Sequence, residues 1–280
     1  MDLLTIRFEP GRPRAPSSVV KVLGPPVGAA LVLLAVGAGL VRAGSGWPPR
    51  LGAALEVAAV HGGFIAIGAA LVLGPGKWLA LAGPIACAMA LAHLASQAGG
   101  WGAVAALLPP ALLLRESRRH PELIGIGASP PAGAGAPVGP SLLGLAAGLL
   151  LGGHLLLTAS LTLGYAPRMG TVDRYLSAIS YDVSANALSA EWLFRGVVFS
   201  ACWRRASFWT ATAVATAALL GRYLADPALP RRLEMAAGGI FYLGLVGVAC
   251  CALRAWSGNL VPGYLCSVAF FAAYRLLAAG

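Results

Sequence analysis

Long apolar runs, separated by short polar or basic connections, fill most of the sequence after residue 21. Several runs approach the roughly 20 residues that an α-helix needs to cross the hydrocarbon core of a bilayer. The fourth run is short and contains Pro109 and Pro110, so it either re-enters the membrane or pairs tightly with the third. The pattern predicts about eight or nine membrane segments, over residues 22–41, 51–74, 78–98, 101–114, 141–164, 178–203, 207–224, 236–253 and 259–279.

The polar stretches predict four parts of the chain. Residues 1–21 are polar and proline-rich and form an N-terminal tail, which we expect on the cytoplasmic side because that side then collects more of the loop arginines and lysines. Residues 22–114 form an N-terminal group of membrane helices. The stretch 115–140 is rich in Pro, Gly and Ala and predicts a flexible linker. Residues 141–280 form a C-terminal helical core.

Composition strengthens the membrane prediction. Hydrophobic residues make up 58% of the chain and charged residues 11%, whereas a soluble domain carries about 25% charged residues. The net charge of +10 comes from arginines in short loops rather than from one basic face, which argues against nucleic acid as a partner. We therefore expect an all-α, multi-pass helical bundle in the cell membrane, whose first partner is the lipid bilayer.

Ionisable side chains at bilayer depth are costly, about 2.5–3.5 kcal/mol each on insertion scales, and they usually face the protein interior. No HExxH sequence, HxxxH pair or Cys/His cluster is present, so we predict no metal site and no cofactor. A single histidine in such a helix is typical of packing rather than of metal binding. The candidates for a role in a site are Glu56, His61, His93, His154, Asp182, Glu191 and Arg195.

Glu191 and Arg195 stand four residues apart within "AEWLFRG", a spacing that places both charged groups on one helix face. One interpretation is an ion pair that neutralises itself so that the helix can insert. The other is a carboxylate that a guanidinium orients beside a water-filled cavity. Asp182, nine residues before Glu191, lies on a similar face of the same polar segment, and a helix this polar must face protein or water rather than lipid.

The second half of the chain resembles the CPBP family, which contains membrane-embedded CAAX proteases and bacteriocin-processing proteins. "SAEWLFRGVVFSACWRR" (189–205) is similar to the family's EExxxR motif with its following FRG. "GGIFYLGLVGVACCALRAWSGNLVPGYLCSVAFFAAY" (238–274) is similar to the last two core helices of the family, including "SGNL" and a proline. The resemblance covers about residues 175–278 and implies a type II CAAX prenyl endopeptidase-like fold.

The resemblance implies a site in which the first glutamate of EExxxR activates a water, while later histidines and an asparagine bind metal or polarise the scissile carbonyl. This chain departs from that pattern, which makes it a degenerate member. Only Glu191 and Arg195 remain of the first motif. The other motif positions carry Ala190 for the first glutamate, Gly221 or Arg222 for the first histidine, Cys266 or Ser267 for the second, and Phe270 or Phe271 for the asparagine.

Three hypotheses follow. The first is a non-proteolytic partner or regulator of another membrane protease or of a membrane-anchored substrate protein. The second is a rewired intramembrane endopeptidase, in which Glu191 or Asp182 is the base, His154 or His93 replaces the missing histidines, and a divalent metal such as zinc is involved; Cys266 as nucleophile is a variant, and Ser267 a further accessory position. The third is a small-solute transporter, although the sequence shows no inverted repeat.

Overall fold

The structure, a computed structural model, describes residues 47–73, 77–125, 138–164, 170–224 and 233–278. The predicted tail 1–21 and first segment 22–41 lie outside these described residues. So does the stretch 126–137 of the predicted linker. Every statement below refers to the described part of the chain.

Helices make up the fold, and no strand occurs in the described ranges. The elements are α1 (Pro49–Leu73), α2 (Trp78–Ser96), a 3₁₀ helix (Gly100–Leu107), α3 (Leu108–Ser117), α4 (Glu122–Gly125), α5 (Val138–Leu163), α6 (172–203), α7 (Phe208–Leu224), α8 (Leu233–Ser257) and α9 (Val261–Ala278). The prediction of an all-α bundle is confirmed.

Helix length and hydropathy support a multi-pass membrane protein. Four described helices are long and apolar enough to cross a bilayer, and the shorter apolar helix Val261–Leu277 accompanies them. Their many exposed large apolar side chains, such as Leu150 on α5 and Phe241 on α8, suit a surface in contact with lipid. The four long stretches are Pro49–Leu73, Trp78–Ser96, Val138–Thr162 and Ala237–Ser257.

The predicted fourth segment, 101–114, does not form one continuous α-helix. It begins as the 3₁₀ helix Gly100–Leu107 and continues as α3, with Pro109 and Pro110 in the first turn, where a missing N–H group costs little. Both pieces pack against α2, which agrees with tight pairing to the third segment. Within the predicted linker 115–140, α3 continues to Ser117 and α4 places Leu123 fully in the core.

The helix α6 carries the EExxxR-like stretch and lies at the centre of the bundle. Thr171 caps its N-terminus, because its hydroxyl accepts a hydrogen bond from the Arg174 backbone N–H. Two π-helical stretches, Asp182–Asn186 and Glu191–Phe199, interrupt the α-helical geometry. Such turns widen a helix and change the direction of its side chains, and they are frequent at functional sites.

The "SGNL" sequence forms the tight turn between α8 and α9. Gly258 has a φ of 67°, a left-handed conformation that glycine adopts without steric cost. The side chain of Asn259 accepts a hydrogen bond of 2.8 Å from the Val261 N–H and so caps α9. Ser257 accepts the N–H of Asn259 at 3.1 Å. Part of the family resemblance is therefore explained by turn geometry.

Small residues allow α5 to approach α9 closely. Gly144, Gly148 and Gly152 recur every fourth residue of α5. A Cβ atom at Gly144 or Gly148 would overlap the carbonyl of Pro262 or Cys266, respectively. In membranes, glycine at such positions permits backbone contact between helices. The glycine stripe thus fixes the position of α9.

The N-terminal helix α1 packs directly on α6. The indole N–H of Trp192 donates to the Ile65 carbonyl at 3.1 Å, and a Cβ atom at Gly68 would overlap the Trp192 ring. The Trp192 side chain is 1% exposed. The helices before the predicted linker therefore form one packed core with the motif helix.

We expect Gly68→Ala to destabilise the protein, because the added methyl group forces the Trp192 ring or α1 to move. Overpacking of this kind costs about 1–3 kcal/mol. Gly52→Ala in the same helix is the matched control: no atom lies within 4 Å of its Cβ position, and alanine favours a helix over glycine. Thermal unfolding in a mild detergent measures both variants, and equal stability would contradict the close contact at Gly68.

Candidate functional site

A series of buried polar side chains follows α6 through the apolar bundle. Each is 4% exposed or less and must find its partners inside the protein. The series comprises Asp182, Ser184, Asn186, Ser189, Glu191 and Arg195. Their contacts show what this segment can do chemically.

Glu191 is paired with Arg195 and with α9. The Arg195 Nη1 atom lies 3.3 Å from Glu191 Oε1, and Ser267 donates a hydrogen bond of 2.8 Å to the same oxygen. A Cβ atom at Gly263 would lie 2.7 Å from Glu191 Oε2. The carboxylate can lie against the α9 backbone only because residue 263 is a glycine. Of the two alternatives for the second histidine position, Ser267 is the one that contacts Glu191.

Thiols border this pair. The Cys250 Sγ atom lies 3.4 Å from the Gly263 carbonyl and 3.6 Å from the Ser267 hydroxyl. Cys266 is fully buried in the same hydrophobic cluster as Cys250. Both are free thiols in a setting without a histidine partner, so the contacts give no sign of an activated cysteine nucleophile.

Asp182 is held by Arg275 of α9. The guanidinium donates to both carboxylate oxygens, at 2.7 and 2.9 Å, and Asn186 donates to one of them at 2.9 Å. Tyr223 of α7 extends the network by donating to the Asn186 side chain at 3.4 Å. Asp182 and Glu191 both contact α9, although nine residues of a regular α-helix would place them on opposite faces; the π-helical stretch Asp182–Asn186 lies between them. Because both of its oxygens accept hydrogen bonds from Arg275, the Asp182 carboxylate links α6 to α9.

The three candidate histidines of the sequence, His61, His93 and His154, bond to residues other than Glu191. His61 on α1 bonds with Ser189 at 2.7 Å and with Tyr181 at 3.0 Å. The other two candidates are bonded elsewhere: His93 to Gln97 at 2.7 Å, and the exposed His154 to Tyr242 at 2.6 Å and Thr158 at 3.3 Å. The structure therefore does not assemble Glu191 with His93 or His154.

Ala190, at the position of the first glutamate, is 3% exposed and lies in an apolar cluster with Phe194 and Leu219. Leu219 comes from α7, the helix in which the first histidine was expected. Of the two alternatives there, Gly221 is exposed on the helix surface, while Arg222 has its guanidinium 5.7 Å from the Phe64 ring centroid. Apolar side chains surround the position that the resemblance assigns to the water-activating carboxylate.

The last motif position is apolar as well. Phe270 and Phe271 are buried between α8 and α9, and the Phe271 ring lies 5.9 Å from that of Tyr223. Neither can replace an asparagine as a hydrogen-bond donor.

The residues around Glu191 do not suit a divalent metal. The nearest charged group is the Arg195 guanidinium, which would repel a dication, and the only other bonded partner is the neutral Ser267 hydroxyl. Within the described residues, no group of three or more His, Cys, Asp or Glu side chains could hold a metal ion. Such a set of donors fits neither a structural nor a catalytic zinc site.

Comparison with known proteins agrees with this location of the motif helix. Residues 174–272 match the family model described as type II CAAX prenyl endopeptidase Rce1-like. This region is therefore similar to the CAAX-protease-like family, over less than half of the chain. The match spans α6 to α9 and leaves α1 to α5 outside it. No curated protein and no solved structure matches the chain.

Sequence reasoning found the charged members of the site but missed their neighbours. Gly263 and Trp192 gave no sign, because the role of a glycine or a tryptophan in close packing depends on which helix it faces. The partner of His61 was missed for the same reason: Ser189 is 128 positions away. Ser267 was predictable, because the family resemblance aligns it with the second histidine position.

We expect Glu191→Gln to destabilise the protein strongly, by about 3–5 kcal/mol, because it leaves the buried Arg195 without its counter-charge. Combining it with Arg195→Gln should recover part of the loss. Glu116→Gln is the control, since Glu116 and Arg119 form an exposed pair at 3.7 Å that contributes at most about 1 kcal/mol. Thermal unfolding in detergent compares the variants, and an equal effect of the two single changes would contradict a buried ion pair.

Proposed function

We propose that this CAAX-protease-like membrane protein acts without cleaving peptides, as a partner or regulator of a membrane protease or of a membrane-anchored substrate protein in the cell membrane. One observation carries the proposal: Ala190 is packed among Phe194 and Leu219, where the family has its water-activating carboxylate. Peptide hydrolysis needs a base that reaches a water and a group that stabilises the oxyanion. An alanine in an apolar cluster supplies neither.

The ion pair supports the same proposal. The Glu191 carboxylate is bonded through Oε1 to Arg195 and Ser267, and it approaches the α9 backbone at Gly263. A guanidinium that bonds to a carboxylate orients it within the bundle. We infer that the pair holds α6 and α9 together and is not the base of a rewired endopeptidase.

A binding role is consistent with the intact helical framework. The polar partners of α6 come from three other helices: His61 of α1, Tyr223 of α7, and Ser267 and Arg275 of α9. Cys250 of α8 lies next to Ser267. Under this proposal, the loss of catalytic groups leaves these contacts between α6 and its neighbouring helices in place. A protein of this kind can present the family's helical surface to a partner without hydrolysing it.

The test is a cleavage assay with the full-length protein in lipid vesicles, using a prenylated peptide with a C-terminal CAAX sequence and a fluorophore and quencher on either side of the scissile bond. We expect no release above that of empty vesicles, and no difference between the wild-type protein and Glu191→Gln. Cleavage by the wild-type protein above the level of empty vesicles would overturn the proposal.

Restoring the missing glutamate gives a second test. We expect Ala190→Glu to show no cleavage and to lower the midpoint of thermal unfolding, because the carboxylate enters an apolar cluster without a partner. Ala190→Gln is the size-matched neutral control and should be less destabilising. Peptide cleavage by Ala190→Glu would show that the remaining residues still form a working site.

A further inference from the structure

Three arginines meet where α6 and α8 end. Arg204 and Arg205 directly follow the last residue of α6, and Arg254 lies in the last turn of α8. Arg204 interacts electrostatically with both of the others. Burial and the neighbouring Arg205 charge hold the pKa of Arg204 below its usual value. Like charges collected at one end of the bundle repel one another, which favours the binding of an anion beside them.

Arg204 and Arg205 are not neutralised within the part of the chain that the structure describes. Neither side chain takes part in an ion pair there, whereas Arg195 and Arg275 are each paired with a carboxylate. The Arg204 Nη1 atom is buried and has no hydrogen-bonding partner among the described residues. The Arg205 side chain is exposed. A ligand from outside the chain can therefore reach this pair of guanidinium groups.

A packed aromatic cluster supports the arginines. The Trp203 ring centroid lies 5.2 Å from that of Phe199 and 6.2 Å from that of Phe208. Ala255 of α8, the residue after Arg254, belongs to the same buried cluster. The end of α6, the start of α7 and the end of α8 are thus held together, so the arginines next to them have defined positions.

Two exposed tryptophans lie at the same helix ends. Trp209, in the first turn of α7, is 60% exposed, and Trp256, in the last turn of α8, is 52% exposed. Tryptophan is enriched where a membrane protein crosses the headgroup region of the bilayer. The α7 N-terminus also lies here, capped by the Ser207 hydroxyl, which accepts the Thr210 N–H at 3.1 Å, and its dipole favours negative charge. These features place the arginines at the level of the lipid headgroups.

Other basic residues gather at this end of the bundle. The Leu260 N–H donates to the Ile124 carbonyl at 3.0 Å, which places the segment after α3 beside the turn between α8 and α9. Arg115, Arg118 and Arg119, at the end of α3, are exposed. Basic loops are typical of the cytoplasmic side of a membrane protein, and the cytoplasmic leaflet carries anionic lipids.

We propose that Arg204 and Arg205, with Arg254 beside them, bind the phosphate group of an anionic phospholipid in the cytoplasmic leaflet. The guanidinium N–H groups donate to the phosphate oxygens, a geometry for which arginine is well suited. Trp209 and Trp256 contact the glycerol and the first carbons of the acyl chains on either side. This inference goes beyond the proposed function and does not depend on it.

The first experiment measures, by native mass spectrometry, how tightly the full-length protein retains phosphatidylglycerol and phosphatidylcholine. We expect tighter binding of phosphatidylglycerol. An arginine near an anionic bilayer surface strengthens the attraction roughly fivefold, so Arg204→Gln/Arg205→Gln should weaken phosphatidylglycerol binding by about tenfold or more.

The matched control is Arg50→Gln/Arg174→Gln, which removes the same charge from exposed arginines at the start of α1 and of α6. We expect it to leave phosphatidylglycerol binding unchanged. An equal loss in the two double variants would overturn the proposed site, and so would equal retention of the two lipids by the wild-type protein.

The second experiment distinguishes a lipid from free phosphate. Thermal unfolding of the full-length protein in detergent is measured with added phosphatidylglycerol, phosphatidylcholine or inorganic phosphate at equal ionic strength. We expect only phosphatidylglycerol to raise the midpoint, and Arg204→Gln/Arg205→Gln to lose most of that increase. Each variant is compared with itself in the two lipids, so a change in its intrinsic stability does not affect the comparison. An equal increase with inorganic phosphate would overturn the assignment to a lipid.

Discussion

The structure depends on the need to satisfy polar side chains inside an apolar bundle. A charged or hydroxyl group at this depth needs partners inside the protein, and several of those on α6 link it to a neighbouring helix. Asp182 and Glu191 both face α9, where they meet Arg275 and Ser267. Ser189 holds α1 through His61. The polar side chains of α6 therefore stabilise the fold, because they form hydrogen bonds with residues on three other helices.

Close helix contact complements these bonds. The glycines of α5 and α1 remove the volume that would otherwise keep α9 and α6 at a distance, and Gly263 lets a carboxylate lie against the backbone. In a bilayer, where apolar side chains gain little from leaving lipid, such backbone contact and interhelical hydrogen bonding are the available sources of association. The N-terminal helices lie outside the family match, yet they contribute both kinds of contact to the motif helix.

The sequence was sufficient for the parts of the fold that depend on local pattern. Apolar runs predicted helices, and the i,i+4 spacing predicted the Glu191–Arg195 pair. What it could not supply were contacts between distant positions. Nothing in α1 indicates that His61 faces Ser189, or that Gly68 must accommodate Trp192. The charged residues of the site were predictable because a charge in a membrane helix is rare. A serine such as Ser189 is common in these segments and gave no such signal. The predicted tail and first segment lie outside the described residues and stay predictions.

Under the proposed function, Ala190, Glu191 and Arg195 are a catalytic motif that has degenerated unevenly. Replacing a glutamate by alanine at position 190 leaves only apolar packing around it, and Phe194 and Leu219 provide that packing. Replacing Glu191 or Arg195 alone would leave its partner charged and buried, at a cost of several kcal/mol. Under that function, the cost of an unpaired buried charge explains why Glu191 and Arg195 remain. A motif in a membrane helix can therefore be retained for the fold without being retained for the activity. Residues whose replacement would leave a partner charged, buried and unpaired are the ones that the fold retains.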